Sequence, residues 1–205
     1  MTIGDITKTE DCERIVAKTI EYFGRIDVLV NNAGIIKPSN FENSTIEMLD
    51  QTFDVNVHGM IRMTRAAIQS LQGHKGCIVN ISSFISYRPI NDYITYCLSK
   101  TAVEQFTKNL ALDLGQIGIR VNSVCPAIMG DTEFWTRPGL PLNKNPLFGG
   151  MIMKKICSMY PMQRSGLTKE VIPSIIFLIS DKCSSFMTGS SLVVDGGKSM
   201  TSAQP

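Results

Sequence analysis

The chain has 205 residues, 43% hydrophobic and 19% charged, the balance of a globular domain and not of a disordered segment. Its formal charge of +2 is small and its Lys and Arg residues are scattered, with no basic stripe to neutralise a phosphate backbone, so nucleic acid is not expected as a partner. Cys12, Cys77, Cys97, Cys125, Cys157 and Cys183 lie far apart without a CxxC pair and read as reduced thiols; the polar, acidic start and the lack of an 18-residue apolar run predict no secretion signal and no membrane span, and hence a cytoplasmic protein.

Ile15, Val16, Ile20 and Phe23 recur at helical steps and predict a helix over 10–23, stopped by Gly24. A Val/Ile run over 26–30 reads as a strand. Ser44-Thr45-Ile46-Glu47 fits a capping box, the serine oxygen taking an orphan amide, so a long helical region is expected from Ser44 to about Leu71. Then come a strand at Cys77–Ile81, a helix over about 92–114, a strand over 120–124, a helix from Thr168 to about Ser180 with Thr168 as N-cap, and a strand at Ser191–Val194. Short Val- and Ile-rich strands alternating with amphipathic helices predict an α/β fold, a parallel sheet with helices on both faces. Between 126 and 166 the periodicity fails, and Pro126, Pro138, Pro141, Pro146, Pro161 and Gly149-Gly150 break any long element, so an irregular lid or binding region is expected there. No repeat or linker divides the chain. Residues 1–205 are therefore expected to form a single domain, with 198–205 a loose polar tail.

Tyr96 and Lys100 stand four apart in a predicted helix, so their side chains leave the same face. A free phenol has a pKa near ~10, and a neighbouring ammonium favours its ionised form, which could make Tyr96 a proton carrier. Such a pair is also common surface decoration. Ser83, thirteen residues upstream at the end of a β-rich run, changes the balance, because strand ends deliver side chains to the crevice of an α/β sheet.

The run Ile78-Val79-Asn80-Ile81-Ser82-Ser83 followed by Tyr96-Cys97-Leu98-Ser99-Lys100 resembles the classical short-chain dehydrogenase/reductase family, with its strand-end serine and YxxSK motif. Asn32-Ala33-Gly34 resembles the family's NAG turn, Asn56-Val57-His58-Gly59 its helix asparagine, Arg120-Val121-Asn122 its RVN strand, and Thr188-Gly189 with Asp195-Gly196-Gly197 its closing TG and DGG. The resemblance implies a Rossmann-like, doubly wound sheet and carbonyl–alcohol interconversion with NAD(H) or NADP(H). It gives Tyr96 the role of general acid/base, has Lys100 lower the phenol's pKa and hold the nicotinamide ribose, and has Ser83 bind the substrate oxygen. Asn56 would anchor a water behind Lys100. Ser82 is the alternative to Ser83, and the thirteen-residue step to the tyrosine favours Ser83. Tyr87 and Tyr93 lack a lysine four residues on and read as packing or wall residues, and His58 and His74 show no metal or triad pattern.

The resemblance further implies cofactor contacts from Asn32, Ala33, Gly34, Pro126, Ile128 and Thr132, the last one position later than the family's threonine. Gly4-Asp5-Ile6-Thr7 resembles the end of the family's third strand, where Asp5 would meet adenine. The family's TGxxxGxG phosphate loop has no counterpart here, and neither do its first two strands, so a partial domain with an open sheet edge is expected. The expected substrate is a small, hydrophobic carbonyl or alcohol: Phe134, Trp135, Leu140, Leu142, Phe148, Met151 and Met153 would line an apolar pocket, unless they only pack the lid. A homo-oligomer, tetramer or dimer, is implied as well. The rival reading is a non-catalytic, shortened relative that no longer binds cofactor and acts by pairing with full-length subunits.

Overall fold

The computed structural model describes residues 1–132 and 146–201. Four parallel strands, β1 (Val28–Asn31), β2 (Cys77–Ile81), β3 (Arg120–Pro126) and β4 (Ser191–Val194), form one sheet in the order β1-β2-β3-β4. Helices α1 (Thr9–Phe23), α2 (Ile46–Phe53), α3 (Met60–Gly73), α4 (Ile94–Gly115), α5 (Pro146–Ser158), α6 (Thr168–Ile179) and the short α7 (Asp181–Ser184) cover it. Successive residues of β2 serve opposite faces. Ile78 packs with Val16 of α1, Leu71 of α3 and Ala111 of α4, whereas Val79 packs with Val171 and Leu178 of α6. The α1 apolar stripe ends where Gly24 turns left-handed (φ 82°) and its amide bonds the Ile20 carbonyl.

Several elements differ from expectation for local reasons. The region 44–71 is two helices joined by a π-helical segment, Asp54–Gly59, and Thr45, not Ser44, caps α2 by accepting from the Met48 amide (3.2 Å). The Ser44 hydroxyl donates to the Phe41 carbonyl (3.0 Å), in the turn that precedes the helix. Likewise α6 starts at Thr168 itself: Asp131 accepts from that residue's amide (2.8 Å) and hydroxyl (2.7 Å), so Asp131 performs the capping expected of Thr168. Within 126–166 the chain does make a helix, α5, because Pro146 occupies its first position, where a fixed φ and a missing amide cost nothing. The neck of this region is tied by Gly130 N to Gly166 O (2.9 Å) and Gly166 N to Ile128 O (3.0 Å).

The segment around Asp5 forms no strand and joins no sheet. On the outer side of β1 no strand pairs, and Val30 is 38% exposed there. At the other end Lys198–Met200 is a 3-10 turn and not the start of a loose tail: the Asp195 carboxylate accepts from the Gly197 (2.9 Å) and Ser199 (2.7 Å) amides.

A buried polar seam crosses the sheet. Asn31 donates to Asn80 (2.9 Å) and Thr64 (3.1 Å), and Asn80 donates to Thr107 of α4 (2.9 Å). Asn122 donates to the Met187 carbonyl (2.9 Å) and accepts from the Ser190 amide (3.0 Å), which pins the turn before β4. Arg120 reaches the Leu178 carbonyl (2.8 Å) and Asp181 (2.7 Å), closing the end of α6.

Candidate active site

The carboxyl ends of β1, β2 and β3 open into a cavity of about 700 Å³, the place where α/β sheets bind ligands. Asn32, Ala33 and Gly34 after β1, Ser82 and Ser83 after β2, Pro126, Ile128 and Thr132 after β3, and Tyr96 and Lys100 from α4 all line it. The sequence-predicted site residues are thus brought together, with two exceptions. Asn56 lies just behind the wall. Asp5 lies outside altogether, exposed on its own turn and bonded to Thr7 (2.9 Å), because the strand that would carry it is not formed.

Ser83 and Tyr96 line the same cavity, and the Ser83 hydroxyl donates to the Pro126 carbonyl (3.4 Å). Ser82 also lines the cavity, and its hydroxyl donates to the Lys100 carbonyl (3.2 Å). Burial pushes the Tyr96 phenol above its ordinary pKa, and the nearby Ser83 hydroxyl only partly opposes this. The expected lowering by Lys100 is not realised. Lys100, 4% exposed, donates to the Ile81 carbonyl (2.7 Å) with its ammonium 5.6 Å from the Tyr96 ring centre, and burial brings its own pKa down to about 8 despite the nearby Glu104.

Asn56 is delivered by the π-helical turn, a widened turn that often marks functional positions. Its amide donates to the Ile35 carbonyl (2.9 Å) and Ser99 hydroxyl (3.0 Å), and its oxygen accepts from the Ile35 amide (2.8 Å). Both amide hydrogens are therefore committed to the backbone after the NAG turn and to α4, so Asn56 clamps the site where a water anchor was expected. Gly34 lies against it. A Cβ at Gly34 would come 3.3 Å from Asn56 Oδ1 and 3.7 Å from Lys100 Nζ, so the cradle at this turn accepts a close-packed ligand only while residue 34 has no side chain. Thr132 turns its hydroxyl to the Met129 carbonyl (3.1 Å) while still lining the cavity.

Sequence reasoning missed Glu104, one turn beyond Lys100 on the same face of α4. Only 5% exposed, it accepts hydrogen bonds from Tyr87 (2.8 Å), Ser191 (2.5 Å) and the Cys125 thiol (3.3 Å). Burial raises its pKa, and the bonds from Ser191, Tyr87, Ser82 and Ser123 outweigh that and hold it below the usual carboxylate range. The i, i+4 step from Lys100 was the available signal. Of the predicted substrate wall, Met153 is not among the lining residues and Met151 is 72% exposed, while Ile156, Met159, Tyr160, Val171, Ile172 and Ile175 line the cavity. Phe134, Trp135, Leu140 and Leu142 fall outside the described residues, and the side chain of Phe148 is likewise not described.

A family model described as Enoyl-(Acyl carrier protein) reductase matches residues 2–199. An uncharacterized oxidoreductase of Thermotoga maritima is 39% identical over 195 residues, which cover 95% of this chain and 74% of the relative. An NADPH-dependent aldehyde reductase of Arabidopsis thaliana is 36% identical over 94% of this chain and 64% of its own length. A Caenorhabditis elegans short-chain dehydrogenase/reductase solved with cofactor superposes with a TM-score of 0.89 at 30% identity, over 98% of this chain and 76% of that one. Its relatives use NAD(H) or NADP(H), and with the strand-end serine, the YxxSK helix and the parallel sheet in one arrangement, the chain belongs to the short-chain dehydrogenase/reductase family.

Proposed function

We propose that this chain interconverts a carbonyl and an alcohol, with Tyr96 as the general acid in reduction and the general base in oxidation. The observation that carries the reading is that Ser83, Tyr96 and Lys100 line one cavity, with the Lys100 ammonium 5.6 Å from the centre of the Tyr96 ring. A substrate oxygen placed between the two hydroxyls accepts from both. As that oxygen gains charge, Tyr96 passes its proton to it, and Ser83 keeps the oxygen in line. Burial keeps the phenol protonated at neutral pH, the state an acid needs. Lys100, with a pKa of about 8, is mostly charged there and is held by the Ile81 carbonyl (2.7 Å), in place to donate to a cofactor hydroxyl. Asn56 acts on these groups indirectly, by fixing the Gly34 turn and α4.

NAD(H) or NADP(H) supplies or accepts a hydride at the carbon next to that oxygen when bound. Asn32, Ala33 and Gly34 on one side, Pro126, Ile128 and Thr132 on the other, and Lys100 between them would hold its nicotinamide half. A cytoplasmic location and a homo-oligomeric state belong to the same reading, tested by fractionation and by light scattering.

Replacing Tyr96 by Phe removes the proton and little volume. Turnover should fall by roughly 10²–10⁴ while NADH or NADPH binding, followed by fluorescence, stays within a few fold. A variant retaining more than about a tenth of the parent rate would sink the assignment. A parent that binds neither cofactor would favour the non-catalytic reading instead.

A further inference from the structure

A second cavity, of about 570 Å³, adjoins the first and shares Phe84, Ile90, Met159, Tyr160 and Lys198 with it. Lys198 therefore stands on the wall common to both. It follows the Asp195-Gly196-Gly197 turn, whose two glycines take left-handed φ of 58° and 82° and whose aspartate is saturated by the turn's own amides. Arg88, from the loop after β2, docks on the same turn by donating to the Ser199 carbonyl (3.2 Å) and lines the second cavity. Two cations 110 residues apart in the chain thus meet at one short turn.

Charge bookkeeping across both cavities is one-sided. Among the described residues their walls hold Lys100, Lys198 and Arg88 and no Asp or Glu. Neither Lys198 nor Arg88 is in an ion pair among the described residues. The Lys198 ammonium instead lies 5.7 Å from the ring centre of Tyr160, a residue whose phenol accepts from the Ile128 amide (3.2 Å) and is fixed by it. Burial and then the Arg88 charge hold Lys198 below its ordinary pKa. Two cations near one another without an ion-pair partner among the described residues, the Asp195 carboxylate being engaged by the turn's own amides, form beside an apolar wall a site that an anion improves, because it relieves both the desolvation and the mutual repulsion.

Resting on the proposed reaction, we infer that the substrate is a carbonyl or alcohol with an apolar body and an anionic group, a carboxylate being the simplest, at the end remote from Ser83 and Tyr96, where Lys198 and Arg88 receive it. The reacting oxygen and the anion would be read at the two ends of one cavity, with the Ile156–Ile175 wall packing the body between them.

Two ketones that differ only at the remote end, 4-oxocyclohexanecarboxylate and its carboxamide, test this with the full chain. Ligand-detected NMR titration at low salt should give a carboxylate affinity about five- to thirtyfold above that of the carboxamide, about 1–2 kcal/mol at 1.4 kcal/mol per decade. The ratio should shrink with added salt, fall toward one in Lys198→Met and in Arg88→Met, and persist in Lys198→Arg, which keeps the charge. Equal affinities in the parent, failure to bind either ketone, or a ratio that survives Lys198→Met together with Arg88→Met would overturn the inference. Turnover of the same pair with NADH and NADPH separates it from the proposed reaction: a retained carboxylate preference in binding without any turnover rejects the chemistry alone. A Lys198→Met variant in which KM rises for the cofactor and not for the ketone would assign these cations to a cofactor phosphate and reject the substrate anion.

Discussion

Glu104 offers the most direct measurement of what holds the reactive helix in place. Replacing it with Gln keeps the volume but removes the charge that Tyr87 and Ser191 both donate to at Oε2 and that the Cys125 thiol meets at Oε1. Hydrogen bonds to a charged group contribute about 1.5–3 kcal/mol each and neutral ones about 0.5–1.5, so the exchange at two strong bonds should cost ~2–3 kcal/mol. For a chain of this size that is roughly 4–10 °C in Tm. The pH dependence fixes the cause. A carboxylate whose folded pKa lies below its unfolded value stabilises the fold above the unfolded pKa, near ~4.3, and loses that contribution as pH falls through the folded pKa. The gap between parent and Glu104→Gln in urea titrations should therefore be full at pH 7 and close steadily below about pH 4. Equal stability at pH 7, or a gap unchanged by acid, would refute the reasoning, since the four hydroxyls would then be neutral packing partners.

Other outcomes follow from the same geometry. Lys100→Met should change the balance in the same sense but in an alkaline window: burial holds the parent's lysine at about 8, so the parent gains up to ~3 kcal/mol relative to the variant as pH rises from 7 through 10.5, read by denaturant titration across that range. Gly34→Ala should cost ~1–3 kcal/mol, because its methyl meets Asn56 Oδ1 at 3.3 Å, and should weaken NADPH or NADH binding, measured by fluorescence. Asn122→Ala removes a buried side chain that partners the half-buried Met187 carbonyl and Ser190 amide and should destabilise by about 1–3 kcal/mol in urea, while Asn109→Ala, whose side chain accepts from exposed Gln105, should stay within ~0.5 kcal/mol.

Much of the fold could be read from residue patterns because the relevant signals are local. The Val- and Ile-rich runs at 77–81 and 191–194 gave β2 and β4 to the residue, and Gly24 ended α1 through the left-handed turn expected of it. Tyr96, Lys100 and Ser83 were legible because their spacing carries the chemistry. What failed depended on competition between neighbours. Ser44 lies one residue outside α2, in a turn where its hydroxyl donates to the Phe41 carbonyl, so Thr45 takes the capping role, and Thr168 lost it to Asp131, thirty-seven residues away. The expected effect of Lys100 on Tyr96 failed for an electrostatic reason: spacing reports proximity, but only the fold reveals that both groups are desolvated and that the ammonium is turned to Ile81. Glu104 and Lys198 were illegible because each owes its significance to partners from three or more separate segments.

The outer edge of β1 sets terms for handling the protein. Among the described residues no strand pairs with Val28–Asn31 on the side away from β2, and Val30 is open to solvent there, so wherever this edge is left uncovered it can template pairing with another copy. Colloidal behaviour should therefore track this edge and not the overall charge of +2. A lysine at position 30, a gatekeeper of the kind natural edges carry, is the single change that would raise the working concentration for spectroscopy and crystallisation while leaving the cavity on the other side of Asn31 chemically untouched.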